Sequence, residues 1–348
     1  MTSKSFGKLA DGREVELFIV KNKSGAEVRL TNLGAAIVSI VVPDKGGSFG
    51  DVILGHDNPQ GYVADHSYLG FIVGRYGNRI GKGEFSLNGK VYQLGINDGE
   101  HHLHGGVNGF HRKLWNVPAS TDSSVSMRCI SPDGDEGYPG KVTLDVTYTW
   151  NDNNELVIDY KGTSDAPTIL NPTSHGYFNL TADPRNTILD HELLIEADRF
   201  TPSGSGSIPT GKIEKVDGTP FDFRAWRKIG ERIDAPFEQL QLARGYDHNF
   251  VLNRYDKAIH RAAAVYEPKG GRLMEVFTDQ PGIQFYSGNY LDGSLKGKGG
   301  IAYQRRSALC LEAQHFPDSP NQPQFPSVVL HPSETYRQTT TYRFSVKK

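Results

Sequence analysis

An all-β architecture, a large antiparallel β-sandwich with very few short helices running over residues 1–348, is what this sequence predicts, on three observations. Apolar residues recur with a period of two, turn signals separate short strand-like runs along the whole chain, and no strand-helix-strand repeat of about 30 residues occurs. The 39 glycines and 19 prolines are too many for a helical bundle and too few for a collagen-like or disordered chain.

Asp11-Gly12 reads as a hairpin turn ahead of EVELFIV, and AAIVSIVV is the next strand candidate. Gly46-Gly47-Ser48-Phe49-Gly50 matches the GxSxG spacing of a nucleophile elbow, but strand-like DVILG follows where a helix is required, so a glycine-rich hairpin turn is the better account. Asn88-Gly89 between GEFSL and KVYQL is a strong hairpin signal, because both central residues of a type I′ turn need positive φ. VSMRCIS follows. Val142, Leu144, Val146, Tyr148 and Trp150 then alternate with polar residues up to the turn Asn151-Asp152-Asn153-Asn154, and Leu156, Ile158 and Tyr160 answer on the next strand. The stretch from Arg224 to Ile233 is the one segment patterned as a helix of two or three turns. AAAVYEP, RLMEVFTD, GIQFYSGN, SALCLEAQ and TTTYRFSV complete the strand candidates. No repeat, low-complexity tract or long linker divides the chain, so one domain over 1–348 is favoured over two.

Charge and composition limit the partners. With 38 basic against 40 acidic residues the net charge is −2, and no positive field exists to hold a nucleic acid. No run approaches the ~18 apolar residues of a membrane span, and the polar start MTSKSFGKLADGRE is unlike a secretory signal, which points to the cytoplasm. Cys129 and Cys310 lie in strand-like runs far apart in sequence, and read as two buried free thiols.

Chemistry concentrates in irregular stretches at strand ends: NRIGKG (78–83), HHLHGG (101–106), NPTSHGYFNL (171–180), GYDHNF (245–250), TDQPGIQFYSGN (278–289) and CLEAQHFPDSPNQ (310–322). Each joins a charged or amide side chain to Gly or Pro, so a loop aims the polar group while the backbone approaches a ligand closely. Arg79, His104, His175, Asp247, Gln280 and Glu312 offer the mixture of donors and acceptors that suits sugar hydroxyls. Tyr177, Phe178, Phe285 and Tyr286 lie beside them in sequence as candidates to stack on a pyranose. His101, His102 and His104 lack a carboxylate or thiol at usable local spacing, so no metal is expected, and nothing marks a cofactor. Without an activated Ser or Cys, proton transfer is the accessible chemistry. Glu312 is the sharpest residue, because alternation sets it on one face with Ala308 and Cys310, where a carboxylate is costly to bury unless paired or used.

These segments, with LDGSLKGKGG and CLEAQHFPDSPNQPQFPS, resemble in identity and order the signatures of the aldose 1-epimerases, or galactose mutarotases, from about residue 10 to 346. The resemblance implies a β-sandwich of galactose mutarotase type with the sugar on a concave sheet face. It implies Glu312 as catalytic base and His175 as catalytic acid, with Asn78, Arg79, His104, Asp247 and Gln280 binding the sugar. A free hexose such as galactose or glucose is the implied substrate, with no cofactor, acted on by a monomer or homodimer. Many relatives carry Asn-His-Ser where this chain has Ser174-His175-Gly176. Ionised Glu312 would take the C1 hydroxyl proton while protonated His175 gives one to the ring oxygen, and reclosure on the other face would yield the second anomer. Three rival readings are a hexose-6-phosphate 1-epimerase, a non-catalytic sugar-binding domain, and a glycosidase using Glu312 and Asp247.

Overall fold

Strand pairing follows the period-two pattern closely. The structure, a computed structural model, describes residues 1–347. Its largest element is a nine-stranded antiparallel sheet in the spatial order Asn116–Ser120, Ser124–Ser131, Val142–Trp150, Glu155–Ser164, Tyr336–Val346, Arg272–Thr278, His260–Tyr266, Glu192–Ile195 and Arg227–Lys228. In Val142–Trp150 every apolar position is buried and every Thr or Asp between them is partly exposed. That face packs toward the N-terminal five-stranded meander of Thr2–Lys8, Glu14–Lys21, Glu27–Thr31, Ile37–Pro43 and Phe49–Asp51. Trp150 ties the two layers by donating its indole N–H to the Ala26 carbonyl at 3.1 Å.

A second five-stranded sheet contains Glu214–Lys215, Arg199–Phe200, Asp247–Val251, Gly282–Tyr286 and Cys310–Gln314. It rests on the large sheet where Tyr342 donates to the Leu311 carbonyl at 3.1 Å and Tyr342 packs on Phe178 with ring centroids 4.9 Å apart. One cluster of buried side chains, from Phe18 to Phe344, draws members from all three sheets. Cutting a large aromatic such as Trp150 back to Ala would cost ~3–5 kcal/mol.

Several expectations hold locally. Asn88 and Gly89 have φ of 51° and 76°, as a type I′ turn requires, between Glu84–Leu87 and Lys90–Gln93. The Gly46–Gly50 segment is the hairpin joining Ile37–Pro43 to Phe49–Asp51, with the Asp44 carboxylate accepting from the Gly46 and Ser48 N–H groups. Cys129 and Cys310 are buried free thiols. The Asp11-Gly12 hairpin has a longer loop than a two-residue turn, closed by Leu9 N–H donating to the Arg13 carbonyl at 2.9 Å.

The helix expected over 224–233 does not form. Arg227–Lys228 is instead the edge strand of the nine-stranded sheet, followed by a single 3₁₀ turn at Ile229–Glu231. The Ile229 and Gly230 N–H groups donate to the His191 and Leu189 carbonyls, so sheet-edge bonds take donors that an i→i−4 ladder would use. Among the described residues the two α-helices, Pro59–Ala64 and Glu238–Ala243, have six residues each. Among the described residues no helix is long and apolar enough to cross a membrane.

Candidate active site

The second five-stranded sheet builds the floor of the site by alternation. In register, Asn249, Gln284 and Glu312 stand side by side across three strands, and the adjacent row on the same face is Asp247, Tyr286 and Cys310. The opposite face carries His248, Phe250, Ile283, Phe285, Leu311 and Ala313 into the core, where Phe285 packs on Tyr246 with centroids 5.1 Å apart. Over the polar face lies a cavity of about 650 Å³ whose wall includes Tyr68, Asn78, Arg79, His104, Tyr177 and His175. Of the four aromatic residues that the sequence offered, Tyr177 and Tyr286 line this cavity. Phe178 and Phe285 do not; they point into the core because each is one residue out of phase with its site-facing neighbour.

His175 follows the short strand Thr173–Ser174 and is clamped through its backbone, its N–H donating to the Phe71 carbonyl at 2.8 Å and its carbonyl accepting from Gly70 at 3.0 Å. The imidazole stacks on Tyr177, centroids 5.1 Å apart at 25°, and Tyr177 is held by donating its hydroxyl to the Ser67 carbonyl at 2.8 Å. Nε2 of His175 lies 3.8 Å from Oε1 of Glu312, and Nδ1 lies 3.6 Å from Sγ of Cys310. The glycine at 176 has a packing reason. A Cβ there would sit 2.9 Å from the Phe178 ring.

His104 is delivered by the strand His102–Leu103, which pairs with Arg79–Ile80. The His104 N–H donates to the Asn78 carbonyl at 3.0 Å and the Asn78 N–H donates to Nδ1 of His104 at 3.1 Å. Nδ1 is therefore an acceptor, and the ring proton of neutral His104 is on Nε2. Gly105 permits this crossing of segments: its φ is 84°, and a Cβ would fall 1.8 Å from the Gly74 carbonyl oxygen. Arg79 donates Nε–H to Asp98 at 2.7 Å, and Asp247 accepts from the Gln284 amide at 2.7 Å.

Burial dominates the electrostatics. It lifts the Glu312 carboxyl well above its ordinary range, with the Asp247 charge adding and Arg79 opposing. Burial also raises Asp247, against Arg79 and the Gln284 hydrogen bond. It lowers His175 to about 4 and His104 well below its ordinary value. For Arg79 burial is outweighed by Asp247 and Asp98, so its value rises. The charged pair expected from sequence, carboxylate and imidazolium, is thus not the resting state that desolvation favours. The favoured state is a neutral carboxyl beside a neutral imidazole.

Among the described residues, His104, His175 and Glu312 are the one trio able to offer ligand atoms to a cation, all within 4.8 Å. They are the same side chains that line the cavity. His101 and His102 do not join them: Nδ1 of His101 accepts from Lys82 N–H, and His102 sits between the Gly95 carbonyl and the Tyr138 hydroxyl.

Gln280 is not brought to the cavity. Its carboxamide contacts Asp279 at 2.9 Å and Nδ1 of His315 at 3.0 Å, because it precedes Gly282–Tyr286 and leaves the sheet at the end remote from Tyr286. The amide beside Asp247 and Glu312 is Gln284, four residues on. Alternation within GIQFY, which places Gln284 in phase with Tyr286, is the signal that would have found it. Asp98 and Tyr68 were also missed. Asp98 opens the turn Asp98-Gly99 and fixes Arg79, whereas Tyr68 lies in a loop without a recognisable motif.

Comparison with known proteins gives a consistent result. The sequence model of the family described as aldose 1-epimerase matches residues 16–343. Galactose mutarotase of Bos taurus is 44% identical over 347 residues, 99% of each chain. Aldose 1-epimerase of Escherichia coli K12 is 35% identical, covering 96% of each chain. Among solved structures, an aldose epimerase homologue from C. elegans superposes with a TM-score of 0.88 at 33% identity, covering 95% of this chain and 99% of that one.

Proposed function

The chain belongs to the aldose 1-epimerase family, and on that premise we propose that it interconverts the α and β anomers of free hexoses such as galactose and glucose, with Glu312 and His175 as the proton-transfer pair. The observation that carries the assignment of the pair is the 3.8 Å separation of Nε2 and Oε1 at the floor of the cavity. That is too long for a direct hydrogen bond, and it lets each group reach a different oxygen on the anomeric carbon.

In the cyclic sugar the O1–H bond breaks, its proton passing to the Glu312 carboxylate while C1=O1 forms. The C1–O5 bond breaks with its electron pair on O5, which takes the proton from Nε2 of His175. The pair then stands as neutral carboxyl and neutral imidazole, the state that burial favours. Rotation about C1–C2 presents the other carbonyl face, and closure runs the transfers backwards. Both states hold one exchangeable proton between two groups, so catalysis requires that count rather than a fixed location. Burial stabilises the open-chain state. Assembly of the charged pair on binding the cyclic sugar is where Arg79, which opposes the rise of Glu312, contributes. His104 offers Nε2–H to a hydroxyl, and Asp247, Arg79 and Asn78 supply the remaining donors and acceptors.

A neutral sugar suits the site better than a sugar phosphate. Arg79 is the single Arg or Lys among the described residues of the cavity wall, and it already faces Asp98 and Asp247. Polarimetry of freshly dissolved α-galactose and α-glucose should show an accelerated approach to equilibrium, with glucose 6-phosphate a poor substrate and competitor. No acceleration for any free aldose would refute the proposal, and a preference for the phosphate would replace it with the rival epimerase.

A further inference from the structure

Proton exchange between a sugar and the Glu312/His175 pair asks more of His175 than position. Nε2 must alternate between carrying a proton and offering a lone pair. The other nitrogen, Nδ1, must therefore keep its proton throughout, since a neutral imidazole with its hydrogen on Nε2 has no lone pair there with which to accept. A histidine in that role needs a hydrogen-bond acceptor at Nδ1. The side-chain atom at Nδ1 is Sγ of Cys310, 3.6 Å away, within the longer reach of a sulfur contact.

Resting on that acid–base role of His175, we propose that Cys310 is a positioning residue, its sulfur accepting a hydrogen bond from Nδ1–H and so holding the tautomer whose Nε2 faces Glu312. Both partners of the imidazole come from one strand and one face: Cys310 and Glu312 are two residues apart in Cys310–Gln314, so they point the same way. The ring lies across them, with Nδ1 to the thiol and Nε2 to the carboxyl. Tyr177, stacked on the ring, keeps it from rotating out of this arrangement. Cys310 is itself fully buried, in one cluster with Tyr177, Tyr286, Tyr303 and Leu291.

Sulfur suits this position for a chemical reason. A carboxylate at Nδ1 would orient the ring more strongly but would stabilise the imidazolium and weaken it as an acid. The ring oxygen of a hemiacetal is a poor base and needs a strong acid. A thiol is a weak, uncharged acceptor, and burial keeps Cys310 in the thiol form by raising it well above its ordinary value. It orients the imidazole without adding to its basicity.

The test combines a tautomer measurement with two variants. In ¹⁵N-labelled protein at pH 7.5, with His175→Gln used to assign the signals, the neutral His175 ring should show a protonated Nδ1 and a bare Nε2. Cys310→Ala should mix the tautomers and lower kcat by roughly threefold to tenfold, the range of one net hydrogen bond, with KM nearly unchanged. Cys310→Ser, which restores an acceptor, should recover most of the loss and the Nδ1–H signature. An Nε2–H tautomer in the unaltered protein would overturn the proposal even if neither variant folds. So would Cys310→Ala with kcat within twofold of the parent. Either failure in a protein that accelerates mutarotation leaves the epimerase reading standing, whereas an inactive parent removes that reading instead.

Discussion

Lowering the pH from 8 to 6 separates a buried from an ordinary proton-transfer histidine at this site. His175 is held at about 4 by burial, against 6.5 for an ordinary imidazole. A second proton on the Glu312/His175 pair removes the only base, so activity is lost as pH falls through the value that governs its uptake. With a value near 4 about 99% of the pair holds the competent single proton at pH 6, and with 6.5 only about a quarter does. The difference is fourfold in kcat/KM. The alkaline limb, where the pair loses its last proton, lies well above the ordinary carboxyl range because burial and Asp247 both raise Glu312. Initial rates with α-glucose, followed polarimetrically and corrected for uncatalysed mutarotation, should therefore show no decline as pH is lowered from 8 to 6 while the circular dichroism stays native. A half-loss of activity centred near pH 6.5 in a folded protein would refute the claim that burial governs His175.

Other outcomes follow from the same geometry. Glu312→Gln, which can neither take nor release a proton, should lower kcat by ~10²–10⁴ while galactose still binds by calorimetry; a residual kcat within tenfold of the parent would remove Glu312 from its role. Gln284→Ala should lower kcat/KM by loosening Asp247, whereas Gln280→Ala should alter only thermal stability, and the reverse pattern would reinstate Gln280 as the sugar contact. Acid should unfold the protein readily. His111, His191 and His248 are held at about 3 and His175 and His315 at about 4, so each is neutral when folded and charged when unfolded below 6.5. Their contribution is complete above pH 6.5 and falls as pH drops toward the folded values, by up to ~1.4 kcal/mol each at pH 5.5. Tm measured from pH 7.5 to 5.5 should decline steeply, and a constant Tm would contradict the burial of these rings.

Legibility in the sequence tracked how local the determining interaction is. Alternation in VTLDVTYTW and the Asn88-Gly89 turn depend on residues within a few positions, and both appear in the structure as read. The segment 224–233 failed because its backbone bonds go to Leu189 and His191, a sheet edge that no local pattern announces. Asn78, Arg79, His104, Asp247, His175 and Glu312, each named from a distinctive motif, all line one cavity. Gln280 entered through the resemblance, as the Gln before Pro-Gly, whereas the phase of the strand points to Gln284. Asp98 and Tyr68 acquire meaning only through contacts made after folding, to Arg79 and to His104.

The strand Cys310–Gln314 shows why site and core cannot be separated here. Its even-numbered residues, Cys310, Glu312 and Gln314, belong to the polar face, and Leu311 and Ala313 belong to the core that joins the two sheets. A one-residue slip of register would put Leu311 under the sugar and bury Glu312 against Tyr342. Unpaired, that carboxyl would cost several kcal/mol, a large part of what holds a domain together. Packing on the lower face therefore excludes the inactive registers, and it does so without any residue that contacts the substrate. The same enclosure that fixes register also removes water from Glu312 and His175 and drives the pair toward neutrality. Precision of the acid–base pair and its shifted proton affinities are thus two consequences of one structural cause, the burial of a strand on both faces. A variant that opened the core beneath Leu311 should loosen both together, moving the acid limb of the rate profile toward 6.5 as stability falls.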